Sequence, residues 1–217
     1  MAVAVTVPVA AQQAVVLDNH ASIKTQVRFF EQIIQGAVRR GGEMLEQEAR
    51  KIEPRVGLQM AGAPLVSGVY LPDQGYHFDA QVPDIGPTSL SMWVYYAQQS
   101  RAQQPTRVVS NGGVVADDPL KAPATDPTPP FDVGREYGNC VRQSLVDAMI
   151  DSSGALPLKS GERLTVRARV PQIFQDPRVL SNERELLLVA DGADLLAYRQ
   201  GTLTRDQLKD RIREYRY

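Results

Sequence analysis

Cysteine occurs once and histidine twice in the 217 residues. A single thiol excludes an internal disulfide framework and any zinc or iron–sulfur site built on several cysteines. Two histidines, His20 and His77, leave little for an imidazole-based metal centre. Charge of one sign is also missing: 24 basic and 25 acidic residues leave a net charge of -1, without the basic excess of a generic nucleic-acid binder. Aromatic residues make up only 6% of the chain. No apolar run is long enough to span a bilayer, which needs roughly 20 residues. Walker A, G-x-G-x-x-G, H-E-x-x-H, calcium-loop and G-x-S-x-G patterns are all absent. No cofactor is expected.

What is present fits a soluble α+β protein, with 43% hydrophobic and 23% charged residues. Residues 1–21 form an apolar tail or a residual signal segment. Val9-Ala10-Ala11 has the small-residue pattern of a signal-peptidase site, whereas alternating Val3, Val5, Val7 and Val9 suit a frayed tail or an edge strand. The first reading implies an exported or periplasmic protein; the second leaves a cytoplasmic one open.

Residues 22–217 read as one α+β domain, a mostly antiparallel sheet covered by a long N-terminal helix and shorter C-terminal helices. The periodicity predicts the long helix over 22–50. Ile23, Val27, Phe30, Ile34, Ala37 and Met44 share a stripe that Phe29, Ile33 and Leu45 widen. Gly41-Gly42 either splits this helix or admits a close neighbour. The stripe packs on the chain's own sheet or, being nearly a heptad, pairs between chains. Val66–Leu71 and Tyr76–Val82 read as a hairpin, joined through Pro72-Asp73-Gln74-Gly75 by a type I turn with a glycine bulge. Met92–Tyr96 has strand composition between helix-friendly flanks, and holds the single Trp93.

Six of the fifteen prolines fall between Pro105 and Pro130, so 101–134 reads as a proline-rich loop. Within it, Asn111-Gly112-Gly113 would turn a small hairpin. A helix over 139–151 follows. Strands come next over Arg163–Val170 and Glu185–Ala190, able to pair antiparallel. A short helix closes at Gly201, and a last one, with a Thr204/Gln207 capping box, runs from Arg205 to about Glu214.

Three constellations carry possible chemistry. Cys140, placed near a helix N-terminus, joins His77 and Asp79 in a candidate set for thiol acyl transfer. Against this, a histidine and an aspartate two apart on one strand point in parallel, and a lone helix cysteine usually packs as a hydrophobe. His20, His77, Asp18 and Asp79 form a weak metal candidate. Arg199–Tyr217 carries six basic against three acidic residues, and with Arg39, Arg40, Arg167 and Arg169 it could meet an anionic surface or nucleic acid. A solvated helix face is the plainer reading.

The segments VYLPDQGYHFDAQVP, LVDAMIDSSGALPLKSGERLTVRARV and LLAYRQGTLTRDQLKDRIREY together resemble an uncharacterised family of bacterial proteins, many apparently exported. The likeness covers about two thirds of the chain, centred on the connector Leu156–Glu162. It implies export and no assigned activity, and the family carries apolar residues at the position of His77.

The leading expectation is therefore a non-catalytic structural or protein-interaction protein of an exported or envelope-associated assembly. It would bury apolar surface against a protein partner or a second copy. The contact candidates are Val27, Phe30, Ile34, Trp93, Tyr95 and Tyr96, with the proline-rich loop. The alternatives are a small thiol-dependent hydrolase using Cys140 and His77, and an anionic-surface or nucleic-acid module using the C-terminal arginines. No catalytic, cofactor-binding or metal-ligating residue is assigned, and a small-molecule substrate stays open.

Overall fold

A computed structural model describes residues 9–55, 57–86, 88–89, 91–92, 95–96, 133–169 and 185–217, with side chains from Ala21 onward. The proline-rich segment up to residue 132, its small hairpin, and the loop over 170–184 lie outside the described residues.

Helix α1 (Val9–Ile52) has 44 residues, about 66 Å at 1.5 Å per residue. It starts earlier than the periodicity predicts because nothing between Val9 and Gln35 is proline or glycine. Val27, Phe30, Ile34, Ala37, Val38, Leu45 and Ala49 are buried along one side of it. Gly41-Gly42 does not break it. A Cβ on Gly41 would sit 2.8 Å from the Cα of Val141, so the glycine allows a second helix to approach backbone to backbone. That neighbour is α2 (Val133–Ser152).

α2 begins six residues before the expected Asn139. It runs through Gly134 and Gly138 despite their low helix propensity, because tertiary packing holds the first turns. Val133 and Tyr137 are buried, and the Tyr137 hydroxyl donates to the Pro83 carbonyl at 2.9 Å. Of the stretch with strand composition, residues 92 and 95–96 are helical, as are 88–89 and 91 before them, while 93–94 lie outside the described residues.

Strands β1 (Met60–Ala61) and β4 (Asp84–Ile85) form a two-stranded antiparallel ribbon. The main sheet has five strands in the order β2 (Leu65–Leu71), β3 (Gly75–Gln81), β5 (Arg163–Arg169), β6 (Glu185–Asp191), β7 (Arg213–Arg216). The pairs β2–β3, β5–β6 and β6–β7 are antiparallel, and β3–β5 is parallel. That one parallel pair joins the two halves of the chain, and the crossover it requires contains α2. The hairpin falls within a residue of its expected bounds, but its turn differs. Asp73 has φ 66, Pro72 fixes a negative φ before it, and Gln74 N–H donates to the Leu71 carbonyl at 3.1 Å. This is the type II pattern, with aspartate taking the left-handed position.

After β6 come α3 (Gly192–Arg199) and α4 (Arg205–Arg211). Gly201, at φ 75, ends α3 as expected, and the Thr204/Gln207 capping box is formed. The last helix stops short of Glu214, because Arg213–Arg216 pairs with the outer side of β6. A ladder of backbone hydrogen bonds there outweighs the helix propensity of the terminal residues.

The core lies between the helices and one face of the sheet. Tyr76, Phe78 and Ala80 meet Leu164, Val166, Ala168, Leu186, Leu188 and Ala190. Phe30 packs on Phe78 with ring centroids 5.0 Å apart. A charged group secures one end of the sheet: Glu162 is buried, accepting from the Tyr70 hydroxyl at 2.8 Å and from Lys159 N–H at 3.0 Å. Burial works to raise its pKa. Those two hydrogen bonds and the Lys159 ammonium prevail and hold it below the usual carboxylate range.

Candidate functional site

Strand alternation sends the remaining side chains to the face away from α1 and α2. The register aligns them in rows across the sheet. Val69, His77, Thr165, Val189 and Arg213 form one row, and Ser67, Asp79, Arg167, Leu187 and Tyr215 the next. A third holds Leu65, Gln81, Arg169 and Glu185. A shallow depression of about 320 Å³, mostly apolar, lies between Ser67, Val69, His77, Asp79, Thr165, Arg167 and Leu187.

The charges on this face neutralise one another. Arg167 grips Glu185 with two nitrogens, at 2.6 and 3.1 Å. Arg169 donates to Asp79 at 2.6 Å, and Arg167 lies 3.8 Å from the same carboxylate. The Arg167 hydrogen bond lowers the Glu185 pKa and the same bond raises that of Arg167. His77 sits among these groups with its Nε2 closed off from solvent and lacking a hydrogen-bond partner. Loss of hydration lowers its pKa, so the ring is neutral near pH 7.

Cys140 is not where the sequence reading puts it. Because α2 starts at Val133, the thiol lies two turns into the helix, beyond the free N–H groups of the first turn. It is buried, and burial, with Glu136 and Glu48 nearby, pushes its pKa up to about 11. This is the reverse of an activated thiol. It also belongs to the helix layer, whereas His77 faces the other way, so the sheet separates them. Asp79 does share the His77 face, side by side with it and engaged by arginines.

The other candidates disperse as well. Among the described residues no three His, Cys, Asp or Glu side chains converge on a metal position, and the side chains of Asp18 and His20 lie outside the described residues. The C-terminal arginines are paired rather than free: Arg205 with Asp147 and Asp151, Arg211 with Asp194, Arg213 with Asp191, and Arg216 with Glu214. Arg199 donates to the carbonyls of Ser153 and Leu156. Among the described residues no helix is long and apolar enough to cross a membrane.

Of the expected contact residues, Val27, Phe30 and Ile34 are in the core. Their stripe is covered by this chain's own sheet and α2, which corrects its assignment as a docking surface. Trp93 lies outside the described residues. Tyr95 is exposed, while Tyr96 is partly buried, in edge contact with Tyr95 and capped by the Arg55 guanidinium at 5.3 Å. The exposed apolar group that the sequence reading missed is on edge strand β2. Leu65 is 64% exposed, Val69 48% and Leu71 37%. Its signal was available, since LVSGVYL carries apolar residues on both faces of one strand, more than a single core uses.

No protein-family model matches the chain, and no curated protein or solved structure matches it either.

Proposed function

We propose that this chain is a non-catalytic structural or interaction protein of an exported or envelope-associated assembly. The observation that carries this reading is the open, apolar side of β2. Leu65, Val69 and Leu71 stand exposed on one face of one strand, and Tyr215 is exposed on the same side of the sheet at β7. A patch of this kind on a sheet flanked by mutually neutralised charges suits a partner's apolar surface. The reactive groups give no comparable support to a hydrolase, because the one thiol and the one histidine whose side chain is described lie on opposite sides of the sheet. Paired C-terminal arginines likewise favour contact through apolar surface over an anionic ligand. Export rests on the N-terminal segment and on the family resemblance.

The test compares two forms of the chain, each cross-linked in the cells it comes from: wild type and Leu65→Asp/Val69→Asp, both checked for native circular dichroism. A defined protein recovered with wild type and lost with the folded double variant is the expected result. Equal recovery of the same proteins with both forms contradicts the reading, as does recovery of none with either.

A further inference from the structure

Among the described residues β2 is an edge of the five-stranded sheet, and its backbone groups alternate between β3 and the outside. The Gly68 N–H faces outward, since it donates to Glu31 Oε1 of α1 at 2.7 Å. The same alternation turns the backbone of Val66 and Tyr70 outward. Glycine makes this contact possible. A Cβ at Gly68 would lie 2.4 Å from the Phe78 ring and 2.9 Å from Val27 Cγ1. Without one, Phe78 leans across β2 and α1 comes close enough for Glu31, one turn beyond Val27, to reach the edge.

An edge strand with exposed Leu65, Val69 and Leu71 is a template for another strand. Its sequence is nearly self-complementary. An antiparallel pair of β2 strands about a two-fold axis at Gly68 sets Leu65 against Leu71 of the second copy, and joins Val66, Gly68 and Tyr70 by backbone hydrogen bonds. The central donor of that ladder is the one Glu31 already holds. Pairing would also bring two Glu31 carboxylates together at the axis, an unfavourable like-charge contact. We infer that Glu31 closes the β2 edge against a second copy of this chain. This concerns the backbone edge, not the side-chain face assigned to a partner above, and it stands or falls independently of that reading.

Light scattering over a range of concentrations, with amide exchange by NMR, tests it. Wild type keeps the monomer mass. Glu31→Ala doubles in mass as concentration rises, and the Val66 and Tyr70 amides become slow to exchange in the dimer. A folded Glu31→Ala chain that stays monomeric overturns the inference. So does a mass doubling that leaves those amides fast, or a wild-type chain already paired through β2. If Glu31→Ala does not fold, wild-type exchange decides. A slow Gly68 amide beside fast Val66 and Tyr70 amides supports the inference, and a Gly68 amide as fast as its neighbours overturns it.

Discussion

His77 shows how one residue's environment fixes its chemistry. Its strand position and outward direction follow from the alternation of Tyr76, Phe78 and Ala80, and that much is legible in the sequence. Its unpaired, buried Nε2 is not, because it depends on Val69 and Thr165 being set beside it by pairings distant in sequence. The folded imidazole binds a proton less readily than its ordinary value of 6.5 implies. The unfolded chain therefore takes up more protons below that pH, and stability complete above it is lost as the pH falls toward the folded pKa. The carboxylates with lowered pKa, Glu162 and Glu185, add their loss further down, as the pH falls from the ordinary carboxylate value toward their folded ones. Arg167, on the same face, has its pKa raised by the Glu185 hydrogen bond and stays charged throughout. Urea midpoints at about pH 7.5 and about pH 5.5 should fall further for wild type than for His77→Leu. Equal falls would show that His77 does not feel the loss of hydration assigned to it. The placement of Cys140 near a helix N-terminus fails because the helix starts six residues earlier, whereas its reading as a packed hydrophobe holds.

At the scale of elements, local signals are legible where a short-range mechanism fixes them, the turn type of the hairpin excepted. The hairpin, the capping box, the Gly201 stop and the alternating β5 strand all depend on neighbours within a few residues. The misses are elements held by distant contacts: the first turns of α2, held by Tyr137 on Pro83, and β7, held by β6. Two glycines of α1 separate the local from the tertiary contribution. Gly36 is exposed and a Cβ there meets nothing within 4 Å, so Gly36→Ala should stabilise the fold by about 0.5–1 kcal/mol through helix propensity. Gly41 lies against the Val141 backbone, so Gly41→Ala should destabilise it by about 1–3 kcal/mol through overpacking, despite the same local gain. Urea denaturation of both variants checks this. Changes of the same sign would mean that α1 and α2 do not approach as closely as described.

Taken together, the described residues form a sheet covered on one side. The expected α+β architecture is present, and the parallel β3–β5 pair joins the two halves of the chain in one sheet. The candidate surface was less legible than the fold. A buried helix stripe and an exposed one have the same periodicity, so Val27, Phe30 and Ile34 could not be assigned from sequence. That LVSGVYL is apolar on both faces is legible, but which face the helices leave uncovered, that of Leu65, Val69 and Leu71, is settled only by the packing of the sheet. With Cys140 and His77 on opposite sides of the sheet, the account rests on contact rather than catalysis. Carbene footprinting, on the purified chain and inside the cells it comes from, tests that most directly. The account predicts that Leu65, Val69 and Leu71 are labelled in the purified protein and protected in the cell, while exposed Phe29 on α1 is labelled in both. Equal labelling of the three β2 residues in the two settings would contradict it.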